Sequence, residues 1–185
     1  MTTRRPGYLV AALAVATGCL VGPWAVQRAV ERLGPLDLSA LDAAAPIVVD
    51  REGRLLRAFT TPDGRWRSPV TSAEVDPRFI ALLVGVEDKR FFTHGGVDAR
   101  AALRAGAQLL QHRRVVSGAS TLTMQAARLL EPREERTLGA KWRQATRARQ
   151  LEARLSKREI LDAYLALAPY GGNLEGLRAA TLAYF

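Results

Sequence analysis

The sequence predicts a mainly α-helical domain with one small β-hairpin, preceded by a single transmembrane helix. Three observations support this prediction. Residues 7–26 contain no charged side chain, two short apolar runs surround a turn at Gly53, and apolar residues recur with helical spacing from Asp76 nearly to the end of the chain. The length of 185 residues fits one domain of medium size with an appendage.

Composition limits the kind of partner and the kind of site. A hydrophobic fraction of 48% and a charged fraction of 24% are typical of a folded globular protein. The net charge of +9 indicates an anionic partner, such as nucleic acid, anionic lipid or a phosphorylated substrate. Because Cys19 is the only cysteine, an intramolecular disulfide and a cysteine-rich zinc site are excluded. The two histidines, His94 and His112, are too few for a histidine-rich metal site.

The uncharged run is predicted to be a membrane anchor. As a helix, residues 7–26 would measure roughly 30 Å, which is the thickness of the hydrocarbon core of a bilayer. Arg4 and Arg5 precede this run, so the positive-inside rule predicts residues 1–6 in the cytoplasm and the rest of the chain outside. Two alternatives stay open, a cleaved signal peptide and a lipoprotein-type cleavage with lipidation at Cys19.

The anchor is followed by a predicted linker and then by the domain. Residues 27–45 are interrupted by Pro, Asp and Ser, which favours a linker with one short helical piece. The domain is predicted over residues 46–185. It begins with two short strands, near residues 46–50 and 55–59, which a turn containing Gly53 would join into a hairpin.

The first long helix of the domain ends at two adjacent carboxylates, Glu87 and Asp88. Asp76 is predicted to cap this helix and Pro77 to occupy its first position. Glu87 shares one helical face with three apolar residues, Ile80, Leu83 and Val84. A carboxyl group held against apolar surface favours its neutral form, which suits a general base or acid. The alternative is a charged helix end that faces water.

Two helix starts follow in the middle of the chain. Asp98 is predicted to cap a helix that runs to about His112. The Gly- and hydroxyl-rich stretch at residues 117–123 then begins another helix. Free backbone N–H groups and hydroxyls at such a helix start bind phosphate, and Arg128, about two turns further on, would add positive charge. The alternative is an ordinary Ser/Thr cap.

The rest of the chain is also predicted to be helical. A basic helix covers residues 138–155, and a capping box at Ser156 and Glu159 begins the next helix, which stops at a proline. A last helix is predicted from about Leu174. The chain stops inside this apolar helical pattern at Phe185, which indicates a fragment of a longer protein.

Three stretches resemble the motifs of the peptidoglycan glycosyltransferases, glycosyltransferase family 51, in residue type, order and spacing. The first motif, Glu-Asp-x-x-Phe-x-x-His-x-Gly, is matched in full by Glu87, Asp88, Phe91, His94 and Gly96. The second, Gly-x-Ser-Thr-x-Thr-Gln-Gln, is matched by Gly118, Ser120, Thr121, Thr123 and Gln125. The fourth, Lys-x-x-Ile-Leu-x-x-Tyr-x-Asn, is matched by Lys157, Ile160, Leu161 and Tyr164. The resemblance covers residues 46–185.

The sequence also departs from the family pattern. Met124 replaces a Gln of the second motif, and Ala166 replaces the Asn of the fourth. In the third motif, Arg-Lys-x-x-Glu, Lys141 is kept, but Gln144 stands where the family often has a second functional carboxylate. Glutamine cannot carry charge or transfer a proton at neutral pH. Glu152 lies two helical turns further, roughly 12 Å along the axis, which is too far to replace it. Met124 and an Ala-Pro-Tyr-Gly-Gly run are most similar to the 1C subgroup of penicillin-binding proteins, which also has glutamine in the third motif.

The resemblance implies a lysozyme-like helical glycosyltransferase domain with a smaller membrane-facing subdomain. The implied substrate is lipid II, a disaccharide-peptide on undecaprenyl diphosphate. The implied reaction extends glycan strands with inversion at the sugar carbon and releases undecaprenyl diphosphate. Glu87 would be the general base. Asp88 would orient this end of the helix or help to hold a divalent cation, Mg²⁺ or Mn²⁺, and no organic cofactor is implied.

Two more groups of residues take their roles from the resemblance. The residues that would bind and stabilise the departing diphosphate are Ser120, Thr121, Gln125, Arg128, Lys141 and Gln144. The residues that would support the site, with His94 holding the loop rather than a metal, are Phe91, His94, Gly96, Lys157 and Tyr164.

The resemblance also implies where the chain works. The expected partners are lipid II, the growing glycan strand, the bacterial inner membrane and other cell-wall synthesis proteins. The expected place is a single-pass anchor in that membrane, with the catalytic part on the extracytoplasmic side. Nucleic acid is not expected, because the sequence contains no recognisable nucleic-acid-binding module.

Two other functions stay open. A lysozyme-like hydrolase would also use a single Glu, but it would have no diphosphate to bind. A catalytically inactive, truncated remnant would bind lipid II or act as a scaffold. The remnant is an alternative because the fifth motif of the family, and any transpeptidase domain with its Ser-x-x-Lys nucleophile, would lie beyond residue 185.

Overall fold

The computed structural model describes Arg28 and residues 31–112, 120–132 and 137–185. The predicted tail, the predicted membrane anchor at residues 7–26 and Cys19 lie outside the described residues. Within the described part of the chain, no helix is both long enough and apolar enough to cross a bilayer.

The described part is mainly helical, as predicted. In chain order, the helices are α1 Ser39–Asp42, α2 Pro77–Glu87, α3 Ala99–His112, α4 Leu122–Leu130, α5 Leu138–Arg154, α6 Lys157–Leu167 and α7 Leu177–Tyr184. A short 3₁₀ turn, Phe91–Thr93, separates α2 from α3. Several predicted caps are confirmed: Asp76 accepts a hydrogen bond from the backbone of Arg78, and Ser156 and Glu159 form the reciprocal capping box that begins α6.

The β-hairpin is also confirmed. Strands β1 Ile47–Val49 and β2 Leu55–Ala58 pair antiparallel, with Ile47 opposite Ala58. The turn contains Gly53, whose φ of 80° is the left-handed conformation that glycine adopts at no steric cost.

A second small sheet joins distant parts of the chain. Its strands are β3 Trp66–Arg67, β4 Pro169–Gly171 and β5 Leu174–Glu175, in the order β3-β5-β4, with β3 parallel to β5. The prediction of a helix from Leu174 was therefore wrong by three residues, because Leu174 and Glu175 pair with β3. Helix α7 begins only after Gly176, which has a φ of 86° and lies so close to Ala166 that an added Cβ would meet its carbonyl oxygen at 2.5 Å.

Helix α4 lies at the centre of the core and packs against α5 and α6. Most of its residues are buried, and the largest fully buried side chains of the core are Phe91, Leu122, Leu151, Ile160 and Leu165. Because α4 is held on several sides, its N-terminus has a fixed place relative to the end of α2. At that junction, the carboxylates of the first motif meet the hydroxyls of the second.

The segment predicted to be a linker is packed against the domain from Leu33 onward. Leu36 is 3% exposed and belongs to the core, and Ala45 is also buried. The guanidinium of Arg67 donates to the carbonyls of Ala40 and Ala43 and pairs with Glu175. Residues 33–45 therefore differ from a free linker, because an apolar side chain and several backbone carbonyls find partners inside the domain.

Candidate functional site

A cleft of about 640 Å³ opens where the end of α2 meets the start of α4. Among the residues that line it are both carboxylates of the first motif and three residues of the second: Glu87, Asp88, Ser120, Thr121 and Gln125. The structure thus brings residues of the first two motifs that are more than thirty positions apart in sequence to one surface.

Glu87 is the last residue of α2, and its side chain is exposed to the cleft. The side-chain amide of Gln125 donates a hydrogen bond of 2.8 Å to Glu87 Oε2. The expectation that Glu87 is held against the apolar stripe was wrong: Ile80, Leu83 and Val84 pack on the core, but the helix ends at Glu87 and the carboxylate turns toward solvent. A base in this position is open to an incoming hydroxyl.

Asp88 differs from its neighbour because its side chain is 4% exposed. Its two oxygens lie 3.0 and 2.9 Å from His94 Nε2, and Oδ2 also accepts a hydrogen bond of 3.0 Å from the backbone N–H of Leu122. Asp88 therefore ties the end of α2 to the first residue of α4. This geometry fits the orienting role that was expected of Asp88.

The same geometry does not fit Asp88 as a metal ligand, because both oxygens are buried and already hydrogen-bonded. Within the residues that the structure describes, no group of three or more His, Cys, Asp or Glu side chains could hold a metal ion. No protein-only cation site is therefore assigned here.

His94 lies buried beside Asp88. A carboxylate only accepts hydrogen bonds, so Nε2 donates to Asp88, and Nδ1 has no hydrogen-bond partner among the described residues. The ring also meets Phe91 edge-on, with the centroids 6.5 Å apart. This arrangement makes His94 a support for the loop of the first motif.

A partly buried ion pair lies beneath this loop. Lys157 Nζ donates to Glu152 Oε1 at 2.6 Å, and the hydroxyl of Thr123 donates to the same oxygen at 2.8 Å. Lys157 Nζ also lies 4.5 Å from the centre of the Phe91 ring. Glu152 is therefore engaged in supporting the fold, in addition to being distant in sequence from Gln144.

Gly96 and Thr121 mark a close approach of the loop to the helices. The hydroxyl of Thr121 donates to the Gly96 carbonyl at 2.6 Å and accepts from the backbone N–H of Met124 at 3.1 Å. Gly96 has a φ of 88°, and an added Cβ would lie 2.9 Å from the Ala148 carbonyl oxygen. Because the Thr121 hydroxyl is committed to the cap of α4, it does not fit the direct diphosphate contact expected of it.

Lys141 and Ser120 meet at the rim of the cleft. Lys141 Nζ donates a hydrogen bond of 2.6 Å to Ser120 Oγ, which brings the basic helix α5 next to the start of α4. Lys141 is exposed, so its ammonium group can exchange this partner for an anionic group of a ligand. This pair supplies the positive charge nearest to the cleft among the predicted diphosphate residues.

Arg128 and Gln144 lie together in a second, smaller cavity between α4 and α5. Its volume is about 30 Å³, and its other polar lining residues are Glu131, Arg143 and Arg147. We call this cavity the arginine pocket. Arg128 follows Gln125 by three residues on α4, so the two cavities are adjacent along that helix.

Sequence reasoning missed two of these residues. Arg147 donates to both carboxylate oxygens of Glu131, at 3.0 and 2.5 Å. Glu131 thus places a carboxylate in the pocket that also contains Gln144. Only the position of Glu131 directly after α4 could have indicated this, because its local sequence resembles an ordinary charged loop.

Tyr164 lies half-buried on α6. Burial, and to a lesser degree the negative charge of Glu87 and then the neighbouring Tyr170, raises the pKa of the Tyr164 hydroxyl. The phenol therefore keeps its proton at neutral pH and remains a hydrogen-bond donor in the electrostatic field of Glu87.

Comparison with known proteins gives one family for this chain. The family model described as "Transglycosylase" matches residues 52–185, a range that includes the cleft and the arginine pocket. Penicillin-binding protein 1C of Escherichia coli is 49% identical over 154 residues, which is 83% of this chain and 20% of that protein. Penicillin-binding protein 1A of Pseudomonas aeruginosa is 34% identical over 138 residues, 75% of this chain and 16% of that protein.

The chain thus spans about a fifth or less of the length of these relatives. A third relative, penicillin-binding protein 2D of Bacillus subtilis, is 35% identical over 122 residues, 66% of this chain and 18% of that protein. The high identity to a 1C protein agrees with the subgroup indicated by Met124 and the Ala-Pro-Tyr-Gly-Gly run.

Proposed function

Because the chain belongs to the transglycosylase family, we propose that it is a peptidoglycan glycosyltransferase that polymerises lipid II into glycan strands. The single observation that favours this activity is the exposed carboxylate of Glu87, held by Gln125 in a cleft whose rim carries the Lys141–Ser120 pair. A base in the cleft and a cation at its rim match a reaction that removes a proton and releases an anion.

In the proposed reaction, a sugar hydroxyl of one substrate attacks the anomeric carbon of the other. Glu87 accepts the hydroxyl proton as the new carbon–oxygen bond forms. The bond between the anomeric carbon and the diphosphate oxygen breaks, and its electron pair leaves with the diphosphate. Attack from the face opposite the leaving group inverts the configuration at that carbon.

The leaving diphosphate concentrates negative charge, so cations near it stabilise the transition state. Lys141 and Ser120 would meet this group first, because they lie at the rim of the cleft. Arg128 and Gln144 would extend the binding surface from the cleft to the wall of the arginine pocket, which is itself too small to enclose a diphosphate. Thr121, which was also predicted to bind the diphosphate, would instead act as the cap that fixes the start of α4.

The remaining site residues would act by position. Asp88 and His94 hold the end of α2 against α4, and Tyr164 keeps a neutral hydroxyl near Glu87. The divalent cation stays a prediction, and the roles proposed here for the described residues do not include holding it. Residues 7–26 would anchor the chain in the bacterial inner membrane, where lipid II and the growing glycan strand are found, with other cell-wall synthesis proteins as further partners.

The test uses the full chain in lipid bilayers with labelled lipid II and a divalent cation. The wild type should form glycan polymer, and Glu87→Gln should lower the rate by about 10²-fold or more, since a general base contributes that much. Glu52→Gln is the matched control, because Glu52 is an exposed carboxylate in the hairpin turn and does not line the cleft.

Each other outcome has a definite meaning. Equal rates for the wild type and Glu87→Gln would show that Glu87 is not the base. Binding of lipid II without polymer by the wild type would favour the binding or scaffold segment. Shortening of preformed glycan strands would favour a lysozyme-like hydrolase.

A further inference from the structure

A helix ends in front of the arginine pocket, in the segment that leads into the domain. Residues 31–33 are helical, and Gly34 follows with a φ of 69° and donates its N–H to the Glu31 carbonyl at 3.3 Å. Pro35 comes next. A left-handed glycine followed by proline is a typical helix end, and the last carbonyls of such a helix need partners from elsewhere.

Helix α5 provides those partners. Arg147 Nη1 donates to the Gly34 carbonyl at 2.7 Å and Nη2 donates to the Leu33 carbonyl at 3.2 Å. Gln150 Nε2 donates to the Gly34 carbonyl at 2.9 Å. Two residues on, Leu36 is buried in the core. We call residues 33–36 the docked segment, because their backbone is bound to α5.

Arg147 does not serve the docked segment alone. It is 6% exposed, and the same guanidinium donates to both oxygens of Glu131, directly after α4. Glu131 and Arg147 line the arginine pocket together with Arg128 and Gln144. One buried cation therefore joins the docked segment, α5 and the end of α4, and charge-assisted, bidentate bonds of this kind restrict geometry strongly.

We propose that Arg147 is a positioning residue that couples the docked segment to the arginine pocket. Displacement of the segment would move the guanidinium, and with it Glu131 and the pocket wall that includes Arg128 and Gln144. Arg128 and Gln144 would contact the diphosphate of lipid II as their anionic ligand, so this part of the inference rests on the proposed function. The stretch before the domain is then part of the binding site and not a passive tether.

The test is a double-mutant cycle on ligand binding between Gly34 and Arg147. Binding of labelled lipid II is measured with the full chain in nanodiscs, in a Glu87→Gln background so that turnover does not interfere. Gly34→Ala strains a left-handed position without a clash, since nothing lies within 4 Å of the added Cβ. It should weaken binding about fivefold, and Arg147→Met about tenfold. The double variant should bind no more weakly than Arg147→Met alone.

Gly53 offers a matched control. It also has a positive φ, of 80°, with nothing within 4 Å of an added Cβ, but it lies in the hairpin turn. Gly53→Ala should leave the affinity unchanged, alone and combined with Arg147→Met. A purely structural role of Arg147 would lower the melting temperature but leave the affinity of the folded protein unaltered. If Arg147→Met does not fold, Arg147→Gln takes its place in the cycle.

Strictly additive effects of Gly34→Ala and Arg147→Met on the affinity would overturn the coupling. If the wild type does not bind lipid II, the cycle is repeated with inorganic pyrophosphate as the probe. Non-additive effects on pyrophosphate binding would then support the coupling while the proposed substrate fails. Failure to bind either probe would overturn the inference, because Arg128 and Gln144 would then have no diphosphate ligand.

Discussion

Gln125 and Glu87 form a hydrogen bond of 2.8 Å from the side-chain amide to the carboxylate, across a separation of 38 residues in sequence. This bond joins the second motif to the first and fixes the orientation of an otherwise exposed side chain. A carboxylate that must face an incoming hydroxyl benefits from such a restraint, because misorientation of a catalytic group lowers the rate without removing the group.

Replacement of Gln125 should therefore affect turnover more than substrate binding. We expect Gln125→Ala to lower kcat by about tenfold and to change KM by less than about threefold, because Glu87 would lose its orientation. Steady-state polymerisation of labelled lipid II gives both constants. Gln111→Ala is the control, since Gln111 is an exposed amide near the end of α3. A rise in KM with kcat unchanged would instead make Gln125 a ligand of the diphosphate.

Asp88 should be important for stability. Asp88→Ala removes the acceptor of His94 Nε2 and of the Leu122 N–H in a buried place, so we expect a loss of about 2–4 kcal/mol in the free energy of unfolding. Glu87→Ala, at the exposed neighbouring position, should change it by no more than about 0.5 kcal/mol. Chemical denaturation of both variants checks this. An Asp88→Ala protein as stable as the wild type would remove the proposed tie between α2 and α4.

Lys141 should act mainly on the departure of the diphosphate. We expect Lys141→Ala to lower kcat by about 10- to 100-fold, because a cation at the rim of the cleft stabilises the leaving group, whereas Lys141→Arg should retain most of the rate. The exposed hairpin residue Arg51 provides a charge-matched control, Arg51→Gln, which should leave kcat unchanged. Equal rates for Lys141→Ala and the wild type would assign the leaving-group role to other cations.

The tyrosine titration gives a test that does not depend on activity. The folded-state pKa of Tyr164 is raised above the ordinary value of 10.0, first by burial and then by Glu87. The contribution of neutral Tyr164 to the free energy of unfolding is therefore complete at pH values below the pKa of the unfolded state. It is lost as the pH rises through the pKa of the folded state. Absorbance titration of Tyr164→Phe should show one late-titrating tyrosine fewer, with Tyr170 remaining, and Glu87→Gln should lower the pKa of Tyr164. An unchanged pKa of Tyr164 in Glu87→Gln would contradict the proximity of the two side chains.

Removal of divalent cations tests the one expectation for which the described residues offer no ligand set. We expect a chelator to abolish polymerisation and added Mg²⁺ to restore it, with the same half-saturating concentration in the wild type and in Asp88→Asn. The reason is that both Asp88 oxygens are already used inside the protein. A requirement for at least about tenfold more Mg²⁺ in Asp88→Asn would restore Asp88 as a metal ligand.

Local signals predicted most of the helices, because their caps are encoded over a few residues. Asp76 with Pro77, and Ser156 with Glu159, define helix starts by hydrogen bonds within one turn. Strand β5 was not predictable in this way. Leu174 has an apolar side chain compatible with a helix, and its place in a strand depends on pairing with Trp66, far away in the sequence, as well as with Gly171 across the tight turn.

The site was predictable as a set of residue types but not as a set of roles. The spacing of the apolar stripe placed Glu87 in line with Val84, but spacing cannot show where a helix stops and a side chain turns outward. Likewise, the Thr121 hydroxyl is committed by a contact with Gly96, which depends on tertiary packing. The role of Arg147 was also hidden, since a buried arginine and a solvent-facing arginine look alike in a basic helix.

The pairing of Arg67 with Glu175 also constrains the order of folding. The two residues are 108 positions apart, and they form both a parallel strand pair and an ion pair. Closing a loop of that length is entropically unfavourable until most of the intervening chain is ordered. The sheet cannot form until residue 175 has left the ribosome. Trp66 and Arg67 therefore stay unpaired with β5 while most of the domain is synthesised. Cellular factors that bind nascent chains would meet this strand exposed for longer than any helix that forms from neighbouring residues.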